Sequence, residues 1–148
     1  MSLEDRLMAD LKDAMRGHDE LRVSTIRFAR AALTNEAIDK RRALTDEEVL
    51  TVLARQVKQR RESIEEFKKG NRPDLVAKEQ QEMEILLGYL PQQMSRDEIA
   101  VSAREVIQQV GATGPGDFGK VMSRLAPLLK GKADGKLIGE VVREILAS

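Results

Sequence analysis

The sequence predicts an all-α protein, with a four-helix amino-terminal lobe over residues 1–92 and a three-helix carboxy-terminal lobe over residues 93–148. Three observations carry that prediction. Apolar residues recur at a spacing close to 3.6 almost throughout, which places them on one face of successive helices. Two capping boxes, Thr45-Asp46-Glu47-Glu48 and Ser95-Arg96-Asp97-Glu98, stand directly before such stripes. No segment shows the two-residue alternation of a half-buried strand.

Leu3, Leu7, Leu11 and Met15 form the first stripe, and Gly17 is expected to close that helix in the left-handed cap conformation. Val23, Ile26, Arg30, Leu33 and Ala37 form the second, interrupted by a charge at Arg30. Behind the Thr45 box, Val49, Leu53, Val57, Arg60, Ile64 and Phe67 mark a long amphipathic helix that ends near Gly70. Asn71-Arg72-Pro73 restarts the chain, because proline's missing N–H costs little in a first helical turn. Leu75, Met83, Leu86 and Leu90 carry the fourth helix to Pro91. Pro91-Gln92-Gln93-Met94 marks the link between lobes.

The Ser95 box opens the stripe Ile99, Ala103, Val106 and Val110, and Gly111 to Gly116 form a loop. Gly116 or Asp117 is expected to cap a helix bearing Phe118, Val121, Met122 and Leu125, kinked or shortened by Pro127. Gly131 to Asp134 turn the chain, and Asp134 caps a last helix with Leu137, Ile138, Val141, Ile145 and Leu146.

Composition narrows the function. At 41% hydrophobic and 34% charged, the 148 residues are too apolar for a disordered chain and too charged for a membrane protein. The charged start, Met1-Ser2-Leu3-Glu4-Asp5-Arg6, lacks the apolar core of an export signal, so a cytoplasmic protein is expected. Without cysteine there is no disulfide, thiolate metal site or cysteine nucleophile. The lone His18 lies in a turn with no second histidine, and is expected to be solvated. Carboxylates such as Glu62, Glu65, Glu66, Glu79, Glu82 and Glu84 fall on polar helix faces, where solvation and pairing with lysine or arginine are the ordinary outcome. Arg30 and Arg60, on apolar stripes, should have packed stems or partly buried partners.

Gly114-Pro115-Gly116-Asp117-Phe118-Gly119-Lys120-Val121 has the spacing of a phosphate loop. Val121 stands where the magnesium-binding hydroxyl belongs, and no strand precedes it. The ordinary alternative is a helix start in which Gly119 permits close helix packing. The chain is neutral overall, yet Lys120, Arg124, Lys130, Lys132 and Lys136 face a single acid, Asp134, in their stretch. Such a stretch is either a solvated helix corner or a phosphate-binding one. With Phe28, Phe67, Phe118 and Tyr89 as the only aromatics, stacking of single-stranded bases on several rings is not expected.

Leu21-Arg22-Val23-Ser24-Thr25-Ile26-Arg27, Tyr89-Leu90-Pro91-Gln92-Gln93-Met94, Phe118-Gly119-Lys120-Val121-Met122 and Lys130-Gly131-Lys132-Ala133-Asp134-Gly135-Lys136 occur in order along the chain. Together they resemble the YqeY family over nearly its whole length. The last fifty-odd residues also resemble the tail domain of GatB, a subunit of the tRNA-dependent amidotransferase. That tail is a helical appendage that holds tRNA away from the active site. The resemblance implies tRNA contact at Lys120, Arg124, Lys130, Lys132 and Lys136, with the turn Ala133 to Gly135 shaping the surface. It implies tRNA as partner, and amidotransferase or aminoacyl-tRNA synthetase components as further candidates. It also associates the family with carbon–nitrogen ligation using glutamine as amido-N-donor. The sequence carries no magnesium or ATP site, no channel-forming enzyme domain and no Ser-Ser-Lys amidase set. The reading is therefore a tRNA-binding module without autonomous catalysis, cofactor or metal. An accessory role in amidotransfer and a protein-interaction scaffold are the alternatives.

Overall fold

The computed structural model describes residues 1–148 as seven α-helices and one turn of 3-10 helix, without strands. The helices are α1 (Leu3–Arg16), α2 (Glu20–Lys40), α3 (Asp46–Lys69), α4 (Pro73–Leu87), α5 (Arg96–Val110), α6 (Phe118–Leu129) and α7 (Gly135–Ala147). The chain forms two compact units, Met1–Pro91 and Gln92–Ser148.

In the first unit, α1 packs along α2 and α3 along α4. The apolar stripes meet in one core that includes Leu7, Leu11, Ile26, Leu33, Leu53 and Leu86, with Tyr89 and Leu90 beyond the end of α4. The fourth helix therefore stops at Leu87, short of Pro91, and two further turn bonds (Tyr89 N–H to Leu86 and Leu90 N–H to Leu87) deliver those side chains inward. The Tyr89 hydroxyl donates to Asp10, and the Arg6 guanidinium lies 4.7 Å from the Tyr89 ring centre. Burial, reinforced by the Asp10 carboxylate, pushes the Tyr89 phenol well above its ordinary value.

Arg60 turns inward from α3 and donates to Glu79 and Glu82 of α4. Glu82 is buried rather than solvated, contrary to the expectation for a carboxylate on a polar face. The reason is Arg60, whose side chain is itself only 12% exposed and neutralises it in place. Arg30, the other cation on an apolar stripe, is half-buried.

The helix ends differ from expectation in an instructive way. Gly17 and Gly70 sit at φ −83° and −80°, and the left-handed residues are the next ones, His18 (φ 55°) and Asn71 (φ 55°). Arg41 (φ 57°) ends α2 with no glycine nearby. In each case the following N–H reaches back five residues, Asp19 to Ala14, Arg42 to Ala37 and Arg72 to Phe67. That bond satisfies an otherwise orphaned carbonyl and offsets the left-handed strain.

In the second unit, α5, α6 and α7 bury Ile99, Ala103, Val106, Val121, Leu125, Ile138, Val141 and Val142 against one another. Gly111 (φ 69°) caps α5. Pro127 is accommodated inside α6, which runs on to Leu129. Gly119 does not mediate a close packing contact, since a Cβ there would meet nothing within 4 Å. The glycine at a helix contact is the buried Gly139 of α7, where an added Cβ would stand 3.7 Å from the Phe118 ring.

Candidate nucleic-acid interface

The carboxy-terminal unit is closed by a turn between α6 and α7 that presents Lys130, Lys132 and Lys136. Lys130 is the last-turn cap of α6, Lys132 follows Gly131, and Lys136 is in the first turn of α7. Gly131 adopts φ 79°, a conformation natural to glycine, and this lets the chain reverse between the two lysines. The turn is tied to the chain before α5: the Gln93 side-chain amide donates to the Gly131 carbonyl at 3.1 Å, and the Met94 N–H to the Lys132 carbonyl at 2.8 Å. Neither bond was visible in the sequence, because each joins residues nearly forty apart.

Asp134 stands at the N-cap of α7 and its carbonyl accepts from Ile138 N–H at 3.0 Å. Its carboxylate does not cap the first-turn amides. At α6 the expected cap also behaves differently. The Asp117 carboxylate turns back to the loop and accepts from Thr113 N–H at 2.9 Å. That bond is the main cause holding the Asp117 carboxyl below its usual range. The phosphate-loop spacing is thus a one-turn 3-10 helix (Pro115–Asp117) running directly into α6, with Gly119 and Lys120 inside the helix.

The structure brings only some of the five cations close in the chain path. Lys130, Lys132 and Lys136 share the α6–α7 turn. Lys120 and Arg124, four apart on α6, belong to one another's face. Lys120 lies ten residues from Lys130, about 15 Å along the helix axis. All five are exposed. None has a carboxylate at ion-pair distance, whereas Arg96 of the same unit is held by Glu140 at 3.7 Å and by Glu144. Arg143, which no local pattern singles out, stacks its guanidinium 4.5 Å from the Phe118 ring centre. No group of three or more histidine or carboxylate side chains converges as a metal-ligand set, and no helix is long and apolar enough to cross a membrane.

An all-α protein of two helical units, one of which presents a lysine-rich turn between its last two helices, is the class that these features define. The chain belongs to the YqeY family, whose sequence profile, described as Yqey-like protein, matches residues 4–146. It is 32% identical over 149 residues to altered inheritance of mitochondria protein 41, mitochondrial, of Pyrenophora tritici-repentis, covering 97% of this chain and 80% of the relative. The protein of that name from Lachancea thermotolerans is 41% identical over 66% of this chain and 53% of its own. The one from Kluyveromyces lactis is 37% identical over 82% and 70%. The chain thus spans between about half and four fifths of these relatives.

The relatives overturn the cytoplasmic location expected from the amino terminus, for all three are named as mitochondrial proteins. The expectation rested on the lack of an apolar export core. Mitochondrial leaders are amphipathic and basic and need no such core.

Proposed function

We propose that the carboxy-terminal unit binds tRNA through its phosphate backbone, using Lys130, Lys132 and Lys136 at the α6–α7 turn with Arg124 and Lys120 along α6, and that the protein catalyses no reaction alone. One observation carries this reading. These five cations are exposed and none forms a close ion pair, with only Lys120 near enough to the Asp117 carboxyl to help lower its pKa, in a chain whose net charge is zero. Arg96 of the same unit is held by two carboxylates, whereas these five cluster within seventeen residues that hold a single acid between them, Asp134. An unpaired run beside a helix end lacking a side-chain cap suits an oxyanion instead. The family membership adds weight, because the GatB tail that the last fifty-odd residues resemble holds tRNA.

Binding of this kind releases counterions, so affinity falls steeply as salt rises. Fluorescence anisotropy with labelled tRNA over a salt series tests it. Replacing Lys130, Lys132 and Lys136 with alanine should lower the slope of log affinity against log salt by about 2 to 3. Arg96→Ala, which removes an already paired cation, should leave the slope unchanged. Equal affinity and slope in the triple variant would remove the assignment.

A further inference from the structure

Within the amino-terminal unit, α2, α3 and α4 enclose a cleft of about 420 Å³ whose walls include Ser24, Phe28, Gln56, Arg60, Glu79 and Glu82. Clefts of this size hold small molecules. This one contains polar groups that the fold leaves unsatisfied. Gln56 is 5% exposed, yet its Oε1 accepts no hydrogen bond. Arg60 Nε is also buried without an acceptor. Arg60 uses one nitrogen, Nη1, for both Glu79 and Glu82, which leaves its Nε edge unengaged. Buried polar atoms without partners are rare in native proteins, because each has given up water for nothing. Two of them, one helical turn apart on α3 and beside one cleft, point to a ligand that supplies what is missing.

The lining narrows the ligand's chemistry. Arg60 and Lys78 balance Glu79 and Glu82, so no net charge selects an ion. Ser24, Gln59 and Ser63 add both donors and acceptors around the walls. Phe28 is 61% exposed, with the Arg60 guanidinium 5.8 Å from its ring centre. A ligand matched to this set is neutral overall, flat on one face, and carries donors and acceptors on its edge. A peptide amide fits the edge but leaves the ring uncovered, whereas a nucleobase uses both.

We propose that the cleft binds a neutral planar heterocycle of the nucleobase type, with its face on Phe28 and its edge on Gln56 and Arg60. The base belongs either to a free nucleoside or to an unstacked position of an RNA. Gln56 Oε1 and Arg60 Nε are closed to water in this conformation, so the base enters with a rotamer shift of the cleft wall, where Phe28 is exposed. The proposal concerns the amino-terminal unit and does not depend on the lysines of the other.

The test is an amide NMR titration of the full chain with adenosine, guanosine, cytidine and uridine. At least one nucleoside should bind with a Kd of about 1 mM or tighter, shifting amides around Gln56 and Arg60. Phe28→Ala, a surface change that leaves the helical spectrum intact, should weaken it about tenfold or more, while Phe28→Tyr should keep it. Gln56→Leu should also weaken it, with folding checked by circular dichroism. A trinucleotide that binds about tenfold more tightly than its nucleoside identifies an RNA base as occupant, and equal affinity identifies a free nucleoside. Either result supports the proposal. It is overturned if no nucleoside perturbs these amides at about ten times that concentration. Unchanged affinity in Phe28→Ala, or binding of N-acetylalanine amide where nucleosides do not bind, overturns it too.

Discussion

Glu48 shows how much one side chain can organise. Its carboxylate accepts from Arg42 at 2.7 and 2.9 Å, from Lys40 at 2.5 Å and from the Thr45 N–H at 3.0 Å. These bonds, Arg42 first, hold the Glu48 carboxyl far below the usual range. A depressed folded-state value means that the contribution is present above the unfolded carboxylate value, about 4.3, and is lost as pH falls below it. The stability advantage of the wild type over Glu48→Gln should therefore be full at pH 7 and shrink on acidification, as urea unfolding at several pH values will show. Arg41 is the reverse case, a bulky residue held at φ 57°. Arg41→Gly should stabilise the chain by about 1 kcal/mol, since glycine takes that conformation without the left-handed penalty. Arg60→Ala should cost about 3 kcal/mol or more, because it leaves Glu82 buried and uncompensated. Of these three, the Thr45–Glu48 box and the inward, paired character of Arg60 were legible in sequence, while the left-handed Arg41 was not. The identity of a left-handed residue depends on where the last helical bond falls, one position from the glycine in α1 and α3. The partners of Arg60 lie on another helix, at a register that no local pattern encodes.

The elements themselves were readable because each is amphipathic and most begin with local chemistry. The Thr45 and Ser95 boxes formed as expected, with side-chain caps onto Glu48 and Glu98 amides, each at 3.2 Å. Replacing either by alanine should cost about 1 kcal/mol, measured by chemical denaturation. The box at Ser2 was missed because Asp5 stands in for the usual glutamate. Asp117 and Asp134 stand at the N-caps of α6 and α7 as expected, but neither side chain bonds the first-turn amides. Asp117 has a competing donor, the Thr113 N–H, made available by a loop whose shape the sequence does not specify. The basic turn was legible as composition, but its bracing by Gln93 and Met94 was not. Cutting that brace with Gln93→Ala should loosen the turn. Faster amide exchange at Lys132 and Ala133 with the α6 core still protected is the expected result.

For the whole molecule, each hydrophobic core draws its buried residues from one side of Pro91. A fragment spanning 92–148 should accordingly keep a helical circular-dichroism spectrum, although so small a core makes it marginal. A coil spectrum would show that its core is not self-sufficient. The all-α class and helix order follow from periodicity and caps spread along the entire chain, and family membership from the profile match over residues 4–146. A surface that acts by charge and shape leaves a weaker trace, because a solvated lysine and a phosphate-binding lysine are the same residue until their neighbours are known. Here the neighbours are a braced glycine turn and a helix end without a side-chain cap. The most direct measurement is an amide NMR map of the intact protein with tRNA at low and moderate salt. The account predicts perturbations concentrated at residues 130–136 and along the Lys120–Arg124 face, fading as salt rises. Absent or salt-insensitive shifts, or shifts confined to α1 through α4, would contradict it.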